Sequence, residues 1–260
     1  MSQQTQFDAF AALHVPGNPV VLFNVWDVGS ARAVETAGAK AVATGSHSVA
    51  GANGYADGED APLDLVVENA ARIVVGVDLP VSIDFEAGYG DAPEAAAGSL
   101  RELAETGIVG VNIEDGHFGA GIRPVEKQAQ RLSALSEVRS SSGVPVWINA
   151  RTDVFLQSAA ETHADHVSEA LERGDAYAQA GGHSYFIPGL LDLDLIAKVC
   201  ESTPLPVNVM ATGKGPSVSD FASAGVGRVS FGGYPWHLVM KNLADATRDI
   251  LNGASRLPES

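Results

Sequence analysis

Short apolar, β-branched runs alternate with longer amphipathic stretches along the chain, the pattern of repeated strand–helix units on a parallel sheet. Residues 20–25, 40–44, 81–85, 109–113, 146–149, 185–187, 207–210 and 228–231 read as strands. Helical periodicity follows over 28–37, 63–77, 93–105, 124–141, 163–180 and 235–251, with shorter helical stretches after strands six and seven. Pro93 and Pro124 open their helices at a position where the missing N–H is harmless. Eight consecutive units are the number that closes a (β/α)8 barrel, so the expected fold is α/β, one barrel domain over 1–260. An open doubly wound sheet is the alternative, but it seldom needs eight units, and no GxGxxG fingerprint follows the first strand.

Composition narrows the function. The length of 260 residues is near the ~250 that such a barrel needs, and 45% hydrophobic content supplies a core. Sixteen Lys and Arg against thirty-two Asp and Glu give a net charge of −16, which repels nucleic acid and anionic membranes. A small anion can bind only where a metal, an Arg or backbone amides reverse the field locally. The single cysteine, Cys200, excludes an intramolecular disulfide framework and a multi-cysteine zinc site. MSQQTQFDAF shows no basic region leading into an apolar stretch, and no run of eighteen apolar residues follows, so a soluble cytoplasmic protein is expected.

Barrel active sites lie at the C-terminal ends of the strands, and those ends are polar here. Asp84 and Glu86, two residues apart on an extended strand, point the same way, and Glu114 ends the next strand. Three acids without an accompanying His or Cys suit a hard cation, Mg²⁺ or Mn²⁺, rather than Zn²⁺. Each acid alone serves equally to cap a helix or pair with Arg151. Arg151 itself suits a substrate carboxylate or a structural ion pair with Glu114 or Asp153. Gly45, Ser46 and His47, after strand two, suit either a turn whose N–H groups face an anion or a plain connecting turn. The segment 116–123 carries three glycines, as a loop that closes over a ligand would. It brings His117 as a candidate proton donor and Arg123 as a second carboxylate clamp.

Five segments taken in order carry a family resemblance: Phe23-Asn24-Val25-Trp26-Asp27-Val28-Gly29-Ser30-Ala31-Arg32, Gly54-Tyr55-Ala56-Asp57-Gly58-Glu59, the stretch 84–90, Val111-Asn112-Ile113-Glu114-Asp115, and Asn149-Ala150-Arg151-Thr152-Asp153. Together they resemble the phosphoenolpyruvate mutase and isocitrate lyase superfamily over nearly the whole chain. The resemblance implies that Asp84, with Glu86 and Glu114 acting largely through water, holds Mg²⁺, with Asp57 near its outer shell. It implies that Trp26, Ser46, neighbouring amides and Arg151 grip a pyruvyl or enolpyruvyl group, and that the reaction passes through an enolate. It also implies a homodimer or homotetramer that exchanges its last helix. The lyases' Lys-Lys-Cys-Gly-His gating segment is replaced here by Gly116-His117-Phe118-Gly119-Ala120-Gly121-Ile122-Arg123-Pro124, and the phosphonomutases' Lys and Asn-Ser pair is missing too. The expected activity is therefore carbon–carbon cleavage or decarboxylation of a small oxaloacetate-like acid. The alternatives are a phosphonomutase-like or carboxyphosphonoenolpyruvate-type reaction, and a barrel that binds a 2-oxo acid without turnover.

Overall fold

The computed structural model describes residues 2–117 and 121–253, with the side chains of 117 and 139–142 outside the description. In chain order the elements are α1 Gln3–Ala12, β1 Val20–Leu22, α2 Val28–Thr36, β2 Val42–Ala43, α3 Ser46–Ala52, α4 Leu63–Gly76, β3 Val81–Asp84, α5 Pro93–Ala104 and β4 Gly110–Glu114. There follow β5 Gly116–His117, β6 Gly121–Ile122, α6 Val125–Ser142, β7 Trp147–Arg151, α7 His163–Gln179, β8 Ser184–Phe186, α8 Leu193–Ser202, β9 Val207–Met210, α9 Val218–Ser223, β10 Arg228–Ser230 and α10 Tyr234–Leu251. Local chemistry marks several helix starts. Asp27 and Ser30 form a reciprocal capping box on α2, Ser217 and Asp220 form another on α9, and Asp192 caps α8.

Eight strands pair in parallel in the order β1-β10-β9-β8-β7-β4-β3-β2. The ring closes where Val25 and Thr44 bridge in parallel just beyond β1 and β2, so the expected barrel is what forms. Three features differ from the sequence pattern. Helix α1 precedes the barrel; it buries just Phe7 and Phe10, too few to give QQTQFDAFAA a visible apolar stripe. Helix α3 lies inside the expected 45–60 loop, and β5 pairs antiparallel with β6 inside the expected 116–123 loop.

The barrel interior is layered. At its N-terminal end Phe10 plugs the opening: a Cβ on Gly110 would lie 3.0 Å from the Phe10 ring, so the close approach of α1 requires glycine there. Trp147 and His14 stack beside it, centroids 4.4 Å apart. Above the plug lies a polar layer. Asn149 donates to Asn112 (2.8 Å) and Asn208 (2.9 Å) and accepts from Ser184 (2.7 Å), while the buried Arg228 donates to Asn112 (2.9 Å). Apolar residues on the outer strand faces pack under the helices, Val111, Ile113, Ile148 and Val209 among them.

Helix α10 is the exception to this cover. Pro235 is its sole buried residue, whereas Leu243 is 61% exposed; Val21 and Phe23, on and just past β1, are exposed as well. Among the described residues no helix is long and apolar enough to cross a membrane.

Burial holds the His14 imidazole far below its usual range, at about 3, with the Arg228 charge adding to the effect. The unfolded chain takes up a proton below pH 6.5 that the folded chain refuses, so stability is lost as pH falls from 6.5 towards 3, by about 1.4 kcal/mol per unit. In urea unfolding, the parent is expected to lose about 2 kcal/mol more than His14→Gln between pH 7 and pH 5. Equal losses would show that His14 does not set this acid sensitivity.

Candidate active site

Beyond the polar layer the strand ends surround a cavity of about 220 Å³, lined in part by Gly45, Ser46, His47, Asp57, Asp84 and Arg151. Of the residues singled out from sequence, these six come together. Glu86 and Glu114 stand behind them: Glu86 shares with Asp84 and Ser46 the lining of a small adjoining void, and Glu114 is ion-paired to Arg151. Trp26 and Arg123 do not line the cavity. The Trp26 backbone is tied down by Ser30 and Asn69, and Arg123 points outward to Asp91 (3.1 Å) and the Gly116 carbonyl (2.6 Å). The His117 side chain and residues 118–120 lie outside the described residues.

Asp84 ends β3, and Thr44 Oγ1 accepts its backbone N–H at 2.9 Å. Its Oδ2 accepts from the Ser46 amide at 3.1 Å, whereas Oδ1 is buried with no partner. A buried carboxylate oxygen without a donor is costly unless something outside the protein meets it. The other acids are already occupied. Glu86 accepts from the Gly58 and Glu59 amides (2.9 and 2.7 Å) and from the Tyr89 hydroxyl (2.9 Å). Glu114 lies 2.5 Å from Arg151 Nη1. Accordingly, among the described residues no three His, Cys, Asp or Glu side chains converge as direct metal ligands. The donor set fits an oxygen-liking cation bound directly through Asp84 and through water to Glu86 and Glu114, the arrangement Mg²⁺ tolerates well.

Holding Glu86 in place strains the backbone. Glu59, Glu86 and Tyr89 are the non-glycine residues with positive φ among the described residues (62°, 51° and 51°), and they belong to one hydrogen-bonded cluster. Left-handed backbone costs roughly 1–2 kcal/mol per residue, and it clusters where a side chain must be aimed. The buried Arg131 braces this turn through the carbonyls of Ala87, Gly90 and Asp91.

Electrostatics at the mouth are dominated by acid. Burial pushes the Glu86 carboxyl up to about 7, and the neighbouring Asp84 charge adds to this. Burial also raises Glu114, against the pull of Arg151 and with repulsion from Asp153, Asp84 and Glu86. Burial disfavours the Arg151 charge, but Glu114 and Asp153 outweigh it and the guanidinium stays charged. Arg151 is gripped from two sides, with Nε 2.7 Å from Asp153 and Nη1 on Glu114.

Sequence reasoning missed the support behind this pair. Asp115 accepts from the Asp153 amide (2.9 Å), the Tyr177 hydroxyl (2.7 Å) and Arg173 (3.1 Å), which also bonds the Arg123 carbonyl. A Cβ on Gly116 would meet Asp153 Oδ2 at 2.4 Å, so the chain passes this cluster only as glycine. The available signal was Arg173 and Tyr177, polar residues one turn apart on a helix that packs inward. Asn24, Asn112, Phe186, Met210 and Ser230 also line it, from strands that the periodicity had marked; Leu156, Gly232 and Gly233 come from loops with no such signal.

Residues 10–251 match the family model described as phosphoenolpyruvate phosphomutase. A crystal structure of a Burkholderia cenocepacia J2315 protein, provisionally named a phosphonomutase, has a TM-score of 0.93 and 43% identity, covering 95% of this chain and 99% of that one. An uncharacterized protein of Mycobacterium tuberculosis is 33% identical over 97% of this chain and 92% of its own. The 2-methylisocitrate lyase of Escherichia coli K12 is 25% identical over 80% of this chain and 70% of its own. The chain therefore belongs to the phosphoenolpyruvate phosphomutase family, whose related proteins are named as phosphonomutases and lyases.

Proposed function

We propose that this protein breaks the carbon–carbon bond next to the 2-oxo group of a small carboxylate, through an enolate, with Mg²⁺ or Mn²⁺ held at Asp84. The observation that carries this reading is the unpartnered, buried Asp84 Oδ1 in the wall of a cavity it shares with the Arg151 guanidinium. Asp84 would hold the cation directly, with Glu86 and Glu114 orienting its waters. When bound, it supplies positive charge beside the 2-oxo oxygen, where enolate charge develops. Arg151, fixed by Glu114 and Asp153, keeps Nη2 for the substrate carboxylate and for orienting the bond to be broken. Ser46 and His47, which line the same cavity, would flank that ligand.

Phosphoryl chemistry is supported less well. A phosphonate carries up to two charges on three oxygens, and the one guanidinium lining the cavity is already shared between two carboxylates. In assays of 2-oxo acids, malate-type acids and phosphonates, CO₂, pyruvate or glyoxylate release is expected with Mg²⁺ and none with EDTA. Asp84→Asn should lower kcat/KM at least about 100-fold, or ~2.7 kcal/mol. Full activity in EDTA overturns the reading, as does phosphate or phosphonate turnover in place of carbon–carbon cleavage.

The enolate carbon needs a proton. His47 Nδ1 lies 3.9 Å from Asp57 in the cavity wall, whereas His117 belongs to the β5–β6 hairpin. We assign the proton to His47, with Asp57 orienting it, or to His117 when the hairpin closes; Arg123, as placed, is a brace of that hairpin. His47→Gln and His117→Gln are expected to differ, the true donor losing at least about tenfold in kcat. If both variants match the parent, water delivers the proton.

The bare apolar face of α10 and the exposed Val21 and Phe23 support an oligomer in which this helix covers a neighbour's barrel. Light scattering should give a multiple of 26.9 kDa, and Leu243→Glu should shift it towards the single-chain mass. A parent already at the single-chain mass refutes the assembly.

A further inference from the structure

Between the start of α5 and the start of α6, beside the β5–β6 hairpin, lies a second cavity of about 530 Å³, which shares no lining residue with the cavity at the barrel mouth. Arg123, Lys127 and Arg131 bring three cations to it against one acid, Asp91. The first-turn acids Glu94 and Glu126 do not line it. In a chain with a net charge of −16 this is a local reversal of the field, the condition under which a small anion can bind.

The three charges are incompletely matched. Arg123 pairs with Asp91 (3.1 Å), whose side chain is mostly in solvent, and donates to the Gly116 carbonyl (2.6 Å). Lys127 has no acid partner among the described residues. Arg131 is 1% exposed, yet its guanidinium donates to the neutral carbonyls of Ala87, Gly90 and Asp91, and its buried Nε has no partner. Burial and the Arg123 charge push this group down to about 10. Lys127 and Arg131 also stand four residues apart on α6, the spacing at which like charges repel. An anion seated among the three offsets repulsions that the fold leaves standing.

Helix α5 begins at the same cavity. Ala92, its N-cap, makes no side-chain bond to the first-turn amides, which leaves them open to an anion. An ammonium, guanidinium groups and helix amides that approach from separate elements suit a tetrahedral oxyanion better than a planar carboxylate. Ala92, Pro93, Ile122 and Pro124 supply apolar wall, and the volume exceeds what a bare phosphate fills, so there is room for an organic group attached to it. We propose that this cavity is a second, regulatory site that binds a small phosphate monoester at Arg123, Lys127 and Arg131. Regulation follows from what two of these cations already hold. Arg131 braces the turn that carries Glu86, and Arg123 holds the root of the hairpin through Gly116. A phosphate that takes over Arg123 releases the Gly116 carbonyl, so occupancy loosens the hairpin at the barrel mouth.

The test titrates the full chain calorimetrically with inorganic phosphate and with glycerol 3-phosphate, in the parent, in Lys127→Glu and in Lys198→Glu, the same charge change placed on α8. Both lysines are exposed, so the variants should keep the parent's Tm. Both phosphates are expected to bind, glycerol 3-phosphate the tighter. Lys127→Glu should lose at least about tenfold in affinity for either, whereas Lys198→Glu stays within about twofold. Hydrogen exchange of the amides over 121–123 should speed up with glycerol 3-phosphate in the parent and not in Lys127→Glu. No phosphate binding, undiminished affinity in Lys127→Glu, or equal losses in the two variants overturns the site, and a bare phosphate bound as tightly as the ester overturns the monoester. Binding without faster exchange overturns the regulatory part. None of these readouts depends on turnover, so each outcome is separate from the fate of the enolate reading.

Discussion

The pairing of Arg151 with two carboxylates at once, inside a ring of further acids, governs how the mouth of this barrel is built. Glu114 and Asp153 pair with one guanidinium and Asp84 acts on it, while Asp57 lines the same cavity and Glu86 the void beside it, and several of these acids are buried. Buried like charges a few ångströms apart repel strongly, because little water screens them. The fold offsets this by assigning donors individually: two amides and a phenol to Glu86, the guanidinium to Glu114 and Asp153, and an amide, a phenol and a second guanidinium to Asp115. One oxygen of Asp84 is left over. That residue of unmet charge is why we propose a cation at Asp84 rather than a closed salt-bridge network.

Donors can be assigned this closely only if the backbone is fixed. The left-handed turns at Glu59, Glu86 and Tyr89, the Arg131 brace and the constriction at Gly116 each hold an acid where an unconstrained loop would let it move towards water. The polar layer beneath plays the same part from below. Asn112, Asn149 and Asn208 tie β4, β7 and β9 together across the barrel axis, so the strand ends that carry Glu114, Arg151 and Met210 keep their register. A hydrocarbon filling would be cheaper to bury but would fix register less specifically.

What could be read from the sequence follows which signals are local. Strand number, helix starts at Pro93 and next to Pro124, and Asp84 and Glu114 at strand ends depend on short-range periodicity and appear in the fold, whereas Glu86, expected on one extended strand with Asp84, lies in the turn past β3 with a left-handed backbone. Helix α1 escaped because Phe7 and Phe10 make their contacts with the barrel floor, a long-range fact that leaves no stripe in the sequence. Arg123 shows the complementary limit. Its type and loop position suited a substrate clamp, but side-chain direction depends on Asp91, 32 residues earlier, and on the Gly116 carbonyl. The pairing of Glu114 with Arg151 was open from sequence between a structural and a functional role. The geometry shows the pair formed, with the guanidinium still lining the cavity, so the two readings do not exclude each other.

The net charge of −16 gives this arrangement its selectivity. An anionic ligand approaches such a protein against its overall field and gains affinity only within a few ångströms of a local positive centre, since screening confines each charge to roughly a Debye length of 8–10 Å. Arg151 is ion-paired with both Glu114 and Asp153, so on the proposed reading the site would attract a carboxylate weakly until a cation joined Asp84. Metal and anion would then depend on each other: the cation would relieve repulsion among the acids, and the ligand's oxygens would complete what the acids leave open. A ligand lacking adjacent oxygens would meet the unfavourable field without that compensation. Selection therefore comes as much from the uniform negative background as from any contact the cavity makes.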